Sequence, residues 1–377
     1  MSERKNSLNA QIEALCKAGA SPGKTIRATV QKTGKQVVGW VEPYAPVEII
    51  DAAGCLPTGL WGGEVELKKA RTYLPPFACS IMQSIMEMEN DGTYDLLDAV
   101  LIPANCDTLK CFGQKWKGKC PAIPFVHPQH RDVPDAVTFL ANEYQMIRQK
   151  LESILKVSIT EVALSESIKA YNACRQTVRT FMKVAAKHLD VITPAVRHQI
   201  IKAYYFMEVR EYTAAIQRLT RALRRETPDQ YAGKKVVVTG LTLEPESILD
   251  IFEQFGLAIA ADDLAHESRQ FRTDVPYYGD PIHSLAKQWQ NHSGCSLAMD
   301  PYKARIEMLV EMVRAADADG LVVALMKFCD PEEYDVPIIM DACKKAGIPM
   351  LTIEIDQQAR AYEQIRTRLQ SFAENLN

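Results

Sequence analysis

The residues best suited to chemistry in this chain are its cysteines, ten in 377 residues, and their positions set three of them apart. Cys106 and Cys329 each follow closely on a short apolar run (residues 99–102 and 320–325) and precede a helix-period segment. In an open parallel sheet that is the carboxyl edge, where ligands bind. A thiol there lies near a helix N-terminus, whose partial positive charge favours the thiolate, the form that binds metal. Cys79, in Phe77-Ala-Cys-Ser80, starts another helical pattern just after Pro75-Pro76. Three thiolates so placed can converge on a cleft between two domains. A single cysteine reads as well as a small buried apolar residue. The duplicated placement of Cys106 and Cys329 favours a ligand role for that pair.

The other cysteines carry weaker signals. Cys16, Cys174 and Cys343 fall inside helical patterns and Cys55 on the approach to a strand, which suits packing. Cys295 sits in the loop-like Ser293-Gly-Cys-Ser296, and Cys111 and Cys120 follow Cys106 closely enough to be spare ligands. No tight cysteine pair of the zinc-ribbon or ferredoxin kind occurs, so spacing alone does not name the metal.

Other motifs resolve less. Gly19-Ala-Ser-Pro-Gly-Lys-Thr25 has too few residues between its glycines for a phosphate-binding loop and a helix, not a strand, before it. His127-Pro-Gln-His130 with Cys120 offers metal donors but reads as a loop with structural histidines. Gly59-Leu-Trp-Gly-Gly63, read as a turn after Pro57, is not a dinucleotide fingerprint. Asp262-Asp263, Asp330-Pro-Glu-Glu333 and Glu354-Ile-Asp356 collect at strand ends. They suit helix capping or proton-moving cleft groups equally, with Arg269 and Arg272 as partners. The aperiodic polar run from His266 to Asp274 is expected to be a ligand-touching loop.

Two segments must position these residues. Apolar runs at 37–41, 99–102 and 122–126, and again at 235–239, 257–260, 320–325 and 349–355, alternate with amphipathic helical patterns. That pattern means parallel sheets covered on both faces. Gly34-Lys-Gln-Val-Val38 matches Gly233-Lys-Lys-Val-Val237. Glu42-Pro43 before Gly54 matches Glu244-Pro245 before Gly256, and the run ending in Cys106-Asp107 matches that ending in Cys329-Asp330. Three matches in one order indicate duplication. The expected architecture is therefore α/β, with two duplicated doubly wound (Rossmann/flavodoxin-like) parallel-sheet domains. They span residues 1–134 and 231–377, with a helical insertion at 135–230 between them.

Composition excludes several classes. The chain carries 44 Lys+Arg against 47 Asp+Glu, a net charge of −3, with 47% apolar and 24% charged residues. Disordered, collagenous and coiled-coil chains do not look like this. Near-neutral charge without basic blocks argues against nucleic acid as a partner. No apolar stretch approaches the roughly 18 residues of a membrane span, and no secretory leader is evident. The expectation is a cytoplasmic chain whose cysteines stay reduced.

Longer motifs then point to a family. Phe77-Ala-Cys-Ser-Ile-Met-Gln-Ser84, Asn105-Cys-Asp-Thr-Leu109, the stretch from Asp262 to Asp274 and Lys327-Phe-Cys-Asp-Pro-Glu-Glu333 resemble the 2-hydroxyacyl-CoA dehydratases. These are relatives of the ATP-dependent benzoyl-CoA reductases of anaerobic bacteria. The similarity spans nearly the whole chain and is nearest to the smaller, β subunit of the heterodimer. Ala70-Arg-Thr-Tyr-Leu-Pro75 and Cys106-Asp-Thr-Leu-Lys-Cys111 with Gln114-Lys-Trp-Lys-Gly118 resemble the branch acting on lactoyl-CoA.

The resemblance implies a [4Fe-4S] cluster in the interdomain cleft on Cys79, Cys106 and Cys329, with one iron free of protein ligands. It implies a related α subunit as partner and an ATP-hydrolysing iron–sulfur activator as electron source. The implied reaction removes water from an (R)-2-hydroxyacyl-CoA. One electron added to the thioester carbonyl gives a ketyl radical that expels hydroxide. The C3 proton, not acidified by the carbonyl before, is then lost from the enoxy radical and the electron returns. In the family the α-subunit cluster meets the substrate, so this chain is expected to store or relay the electron, and no catalytic base is assigned to it. Two other readings stay open: an electron-relay subunit of a benzoyl-CoA-reductase-like complex, and a two-domain small-ligand binding protein.

Overall fold

The computed structural model describes residues 2–376. The first lobe runs α1 (Ser2–Ala20), α2 (Pro22–Thr33), β1 (Val37–Val41), α3 (Val47–Ala52), β2 (Leu56–Leu60), α4 (Ser80–Asn90), β3 (Ala99–Pro103), α5 (Asp107–Lys115) and β4 (Ala122–Phe125). Four helices follow: α6 (Ala136–Leu155), α7 (Glu161–Ala185), α8 (Pro194–Lys202) and α9 (Val209–Leu223). The second lobe begins with β5 (Lys234–Gly240), α10 (Glu246–Gln254), β6 (Leu257–Leu264), α11 (Ser268–Phe271), α12 (Pro281–Asn291) and α13 (Ala304–Ala315). It ends with β7 (Gly320–Met326), α14 (Asp330–Glu333), α15 (Val336–Ala346), β8 (Met350–Ile355) and α16 (Glu363–Asn375).

Each lobe holds one four-stranded sheet, in the orders β2-β1-β3-β4 and β6-β5-β7-β8, with every neighbouring pair parallel. The orders are the same once the second lobe is renumbered, so the α/β duplication expected from the motifs is present in the topology. Strands β1, β2 and β3 are buried along their whole length, as parallel strands sandwiched between helices are. Gly54 and Gly256 adopt matching left-handed conformations (φ +78° and +63°) just past α3 and α10, where a glycine ends a helix without steric cost.

The structure corrects three details. Within the helical insertion, residues 196–223 carry one helical pattern in the sequence but do not form one helix: α8 gives way to a single 3-10 turn, Ala203–Tyr205, before α9. The expected turn at Gly59 starts inside β2, a strand hidden by its Pro57 and Gly59. Gly59 is required because an added Cβ would meet the Tyr205 ring at 2.3 Å. The repeat is also shifted by one residue. Val38 pairs with Ala99 and Val236 with Gly320, so Val38 corresponds to Val236 rather than Val237.

The helical segment ties the lobes together. Helix α7 packs on α3 and α9, α8 on α1 and α10, and α6 on α12. Across these contacts Arg175 pairs with the buried Glu48, and the Asn172 side-chain amide donates to the Val275 carbonyl at 2.9 Å. No described helix is long and apolar enough to cross a membrane.

Candidate active site at the strand ends

Cys106 caps α5 immediately past β3, and Cys329 precedes the single turn α14 just past β7, so the duplicated cysteines occupy equivalent strand ends. Cys79 caps α4 at the end of the long connection from β2. The Leu109 N–H donates to the Cys106 Sγ at 3.5 Å, and the Met82 and Ile81 amides lie against the Cys79 sulfur. Before Cys329 the chain turns through Phe328, whose left-handed backbone (φ +63°) is uncommon outside glycine and is held where surrounding structure fixes it.

The three sulfurs lie close enough to perturb one another. Burial pushes the Cys79 thiol up to about 12, with Cys106 adding to the rise and the Met82 amide opposing it. Burial also raises Cys106, and the Leu109 amide opposes it. Cys329 is pushed well above the usual thiol range by burial, then by Glu332, Cys79 and Cys106. None of the three is in a disulfide. A set of free, mutually close thiols in a shielded place suits a metal centre, which takes thiolate directly. Among the described residues these sulfurs do not all lie within 4.8 Å of one another.

The lobes meet at this edge. The Ser80 hydroxyl donates to the Met326 sulfur at 3.0 Å and accepts the Gln357 N–H at 3.1 Å, and the Gln358 amide donates to the Ser84 hydroxyl at 2.7 Å. Beside Cys79 and Cys329 opens a cavity of about 560 Å³, lined by Arg71, Pro76 and Ser80 from one lobe and Lys327, Phe328 and Gln358 from the other. That volume lies within the range of small-molecule sites. Sequence reading missed Ser80, Arg71 and Gln358. Only the adjacency of Ser80 to Cys79 was a usable signal.

Two of the acids at the strand ends, Asp263 and Glu332, are structural. Asp263 accepts Arg269 at 2.9 Å, Arg272 at 3.0 Å and Arg305 at 3.0 Å. Burial opposes its ionisation, but the three guanidiniums overcome that and hold its carboxyl well below the usual range. Glu332 binds Arg305 at 2.6 Å, Arg269 at 3.2 Å and the Ser296 hydroxyl at 2.7 Å. The stretch from His266 to Asp274 is therefore not an open ligand loop: it forms α11 and supplies the buried Arg269 to this lattice. Asp356 alone of these acids lines the cavity; Glu354 beside it is exposed.

The remaining candidates disperse. Cys55, Cys120, Cys174 and Cys343 are core residues, Cys111 is exposed on α5, and the Cys295 sulfur sits 3.1 Å from the Tyr44 hydroxyl. His127 is buried among Phe125, Tyr144 and Trp289 while His130 is exposed, so they do not form a metal site with Cys120. The glycine- and lysine-containing stretch 19–25 joins α1 to α2, with Gly19 pressed against Gln199.

The family described as 2-hydroxyglutaryl-CoA dehydratase, D-component, matches residues 43–376. The chain belongs to that family. It is 46% identical over 371 residues to lactoyl-CoA dehydratase subunit beta of Anaerotignum propionicum, covering 98% of this chain and 99% of that protein. It is 39% identical to the (R)-phenyllactyl-CoA dehydratase beta subunit of Clostridium sporogenes, over 94% of this chain and 96% of that one. It is 38% identical to (R)-2-hydroxyglutaryl-CoA dehydratase subunit beta of Acidaminococcus fermentans, over 98% and 100%. The chain is accordingly an enzyme subunit of the dehydratase, hydro-lyase class.

Proposed function

We propose that this chain is the cluster-bearing β-type subunit of a cytoplasmic, heterodimeric dehydratase that removes water from a short (R)-2-hydroxyacyl-CoA of the lactoyl-CoA type. Its partners in this reading are a related α subunit and an ATP-dependent iron–sulfur activator. Cys79, Cys106 and Cys329 hold a [4Fe-4S] cluster. The observation that carries the reading is the gathering of these three thiols at the facing carboxyl edges of two duplicated sheets. The family's beta-subunit relatives support the substrate class.

When bound, the cluster supplies one-electron chemistry and an iron free of protein ligands. The reaction needs a one-electron route because the C3 proton is not acidified by the thioester carbonyl until a ketyl radical has expelled hydroxide. The chain's own part is positioning. The amides at the start of α4 and α5 favour thiolate at Cys79 and Cys106. The arginine lattice fixes the turn carrying Cys329, and the Ser80 and Gln357 bonds hold the lobes closed against water. Residues 1–134 and 231–377 act as the two walls of the cleft, and residues 135–230 brace them.

Anaerobic purification with the α subunit should give a brown complex whose β chain carries about four irons. Cys106→Ser and Cys329→Ser should each lose most of that iron; unchanged iron refutes the ligand assignment. Lactoyl-CoA with activator and ATP should give acryloyl-CoA. A fully loaded complex that dehydrates none of the lactoyl, 2-hydroxyisocaproyl, phenyllactyl and 2-hydroxyglutaryl thioesters refutes the function.

A further inference from the structure

A second cluster of metal-binding groups lies away from the cysteines. His198 on α8, Glu244 past β5 and His266 past β6 each offer a donor atom, and all three atoms lie within 4.8 Å of one another. All three residues are buried, at 1%, 5% and 1% exposure. The His198 Nδ1 is 2.9 Å from the Glu267 carboxylate and its Nε2 is 3.1 Å from Glu244. The His266 Nδ1 is 3.0 Å from the Thr242 hydroxyl, and its buried Nε2 has no partner. Trp61 and Tyr205 pack on the His266 ring with centroids at 4.4 and 4.9 Å, which fixes its plane.

This is how proteins prepare imidazoles for a metal: one nitrogen is tied to a carboxylate or hydroxyl and the ring is locked by packing. The charges point the same way. Asp262, Glu244 and Glu267 bring three buried carboxylates, and Arg197, paired with Asp262 and Glu267, brings one cation. Two negative charges remain. In the described conformation the Lys202 ammonium on Glu244 offsets one of them. Lys202 ends α8 and its side chain is 18% exposed, so it can swing to solvent and leave Glu244 to a divalent ion that offsets both.

We propose that His198, Glu244 and His266 form a zinc site between the helical segment and the second lobe, with Lys202 as the competing occupant. Two imidazoles and a carboxylate are a common zinc donor set. In this position the ion would clamp α8 to the loops after β5 and β6, bracing the lobe that carries Cys329.

The test uses the full chain purified anaerobically with its iron in place and titrated with Zn²⁺ against a chromophoric chelator, with zinc and iron counted separately. Wild type should bind one zinc per chain. Its zinc K-edge absorption should show only nitrogen and oxygen neighbours; a sulfur shell or no zinc above background overturns the site. His266→Ala should weaken binding at least about 100-fold and Thr242→Val about 10-fold, as loss of a ligand and of its supporting group do. Retention of wild-type affinity in His266→Ala also overturns it. Lys202→Met keeps every ligand and removes the competitor, so it should bind zinc more tightly by about 10-fold, the order of one competing charge-assisted hydrogen bond to Glu244. Unchanged or weaker binding there refutes the proposal even where the histidine variant does not fold.

Discussion

Glu332 donates its backbone N–H to the Cys329 carbonyl at 3.0 Å while its carboxylate is gripped by Arg305 at 2.6 Å. One residue thus joins the turn that presents a candidate ligand to a buried lattice of alternating charges. Arg269 extends that lattice to Asp263, and Arg305 extends it to Asp335 at 3.2 Å. Such a lattice gives little net stability when complete, because desolvation offsets attraction, but its disruption strands buried charges.

Arg269→Met should therefore destabilise the chain by about 3–5 kcal/mol, since Asp263 and Glu332 each lose a buried partner. Urea unfolding measures this, and iron retention should fall with it. A loss below about 1 kcal/mol, the range of an exposed pair, would contradict the role assigned to the lattice.

Acid sensitivity should come in two parts. Burial lowers His127 from its ordinary 6.5 to about 3, so the unfolded chain takes up this proton first. Its contribution to stability is present above pH 6.5 and is lost as pH falls toward 3, at no more than about 1.4 kcal/mol per pH unit. Asp263, held low by its arginines, contributes above its ordinary 3.8 and loses that contribution only as pH falls below it. His127→Phe should make the stability profile between pH 6.5 and 4 shallower by one proton's share, the remaining slope coming from His266 and His292, which burial also lowers, and should leave the fall below 3.8 in place. A profile unchanged by the substitution would show that His127 does not titrate in this way.

The duplicated lobes share a strand-start bond. Asp98 accepts the Val37 N–H at 2.8 Å and Asp319 accepts the Lys235 N–H at 2.7 Å. Asp98→Ala and Asp319→Ala should each cost about 1–3 kcal/mol, the penalty for stranding a shielded donor. Chemical denaturation of both variants checks this. A loss in one lobe alone would show that the duplicated bonds differ in importance.

Cysteine specificity gives a sharper check on the site. Cys111 is exposed and Cys295 faces Tyr44, so Cys111→Ser and Cys295→Ser should keep wild-type iron content. Cys79→Ser should lose iron with Cys106→Ser and Cys329→Ser. Iron loss in the Cys111 variant would redraw the ligand set.

Sequence alone determined the parts of this protein that are local or repeated. Parallel strands buried on both faces read as unbroken apolar runs, and the helices between them carry their own period. Duplication brought Cys106 and Cys329 to notice because equivalent strand ends recur in both halves. Strand β2 stayed hidden because Pro57 and Gly59 interrupt its apolar run, and the reason for Gly59 is a ring 146 positions away, Tyr205. Only the tertiary structure decided the roles of the charged and imidazole groups. Asp263 meets Arg305 42 positions on, and His198 meets Glu244 46 positions on. A buried charge or imidazole is set by what packs around it, and separations that long carry no periodic signal. The cysteines could be found by where strands end; the lattice behind them and the histidine cluster required the folded chain.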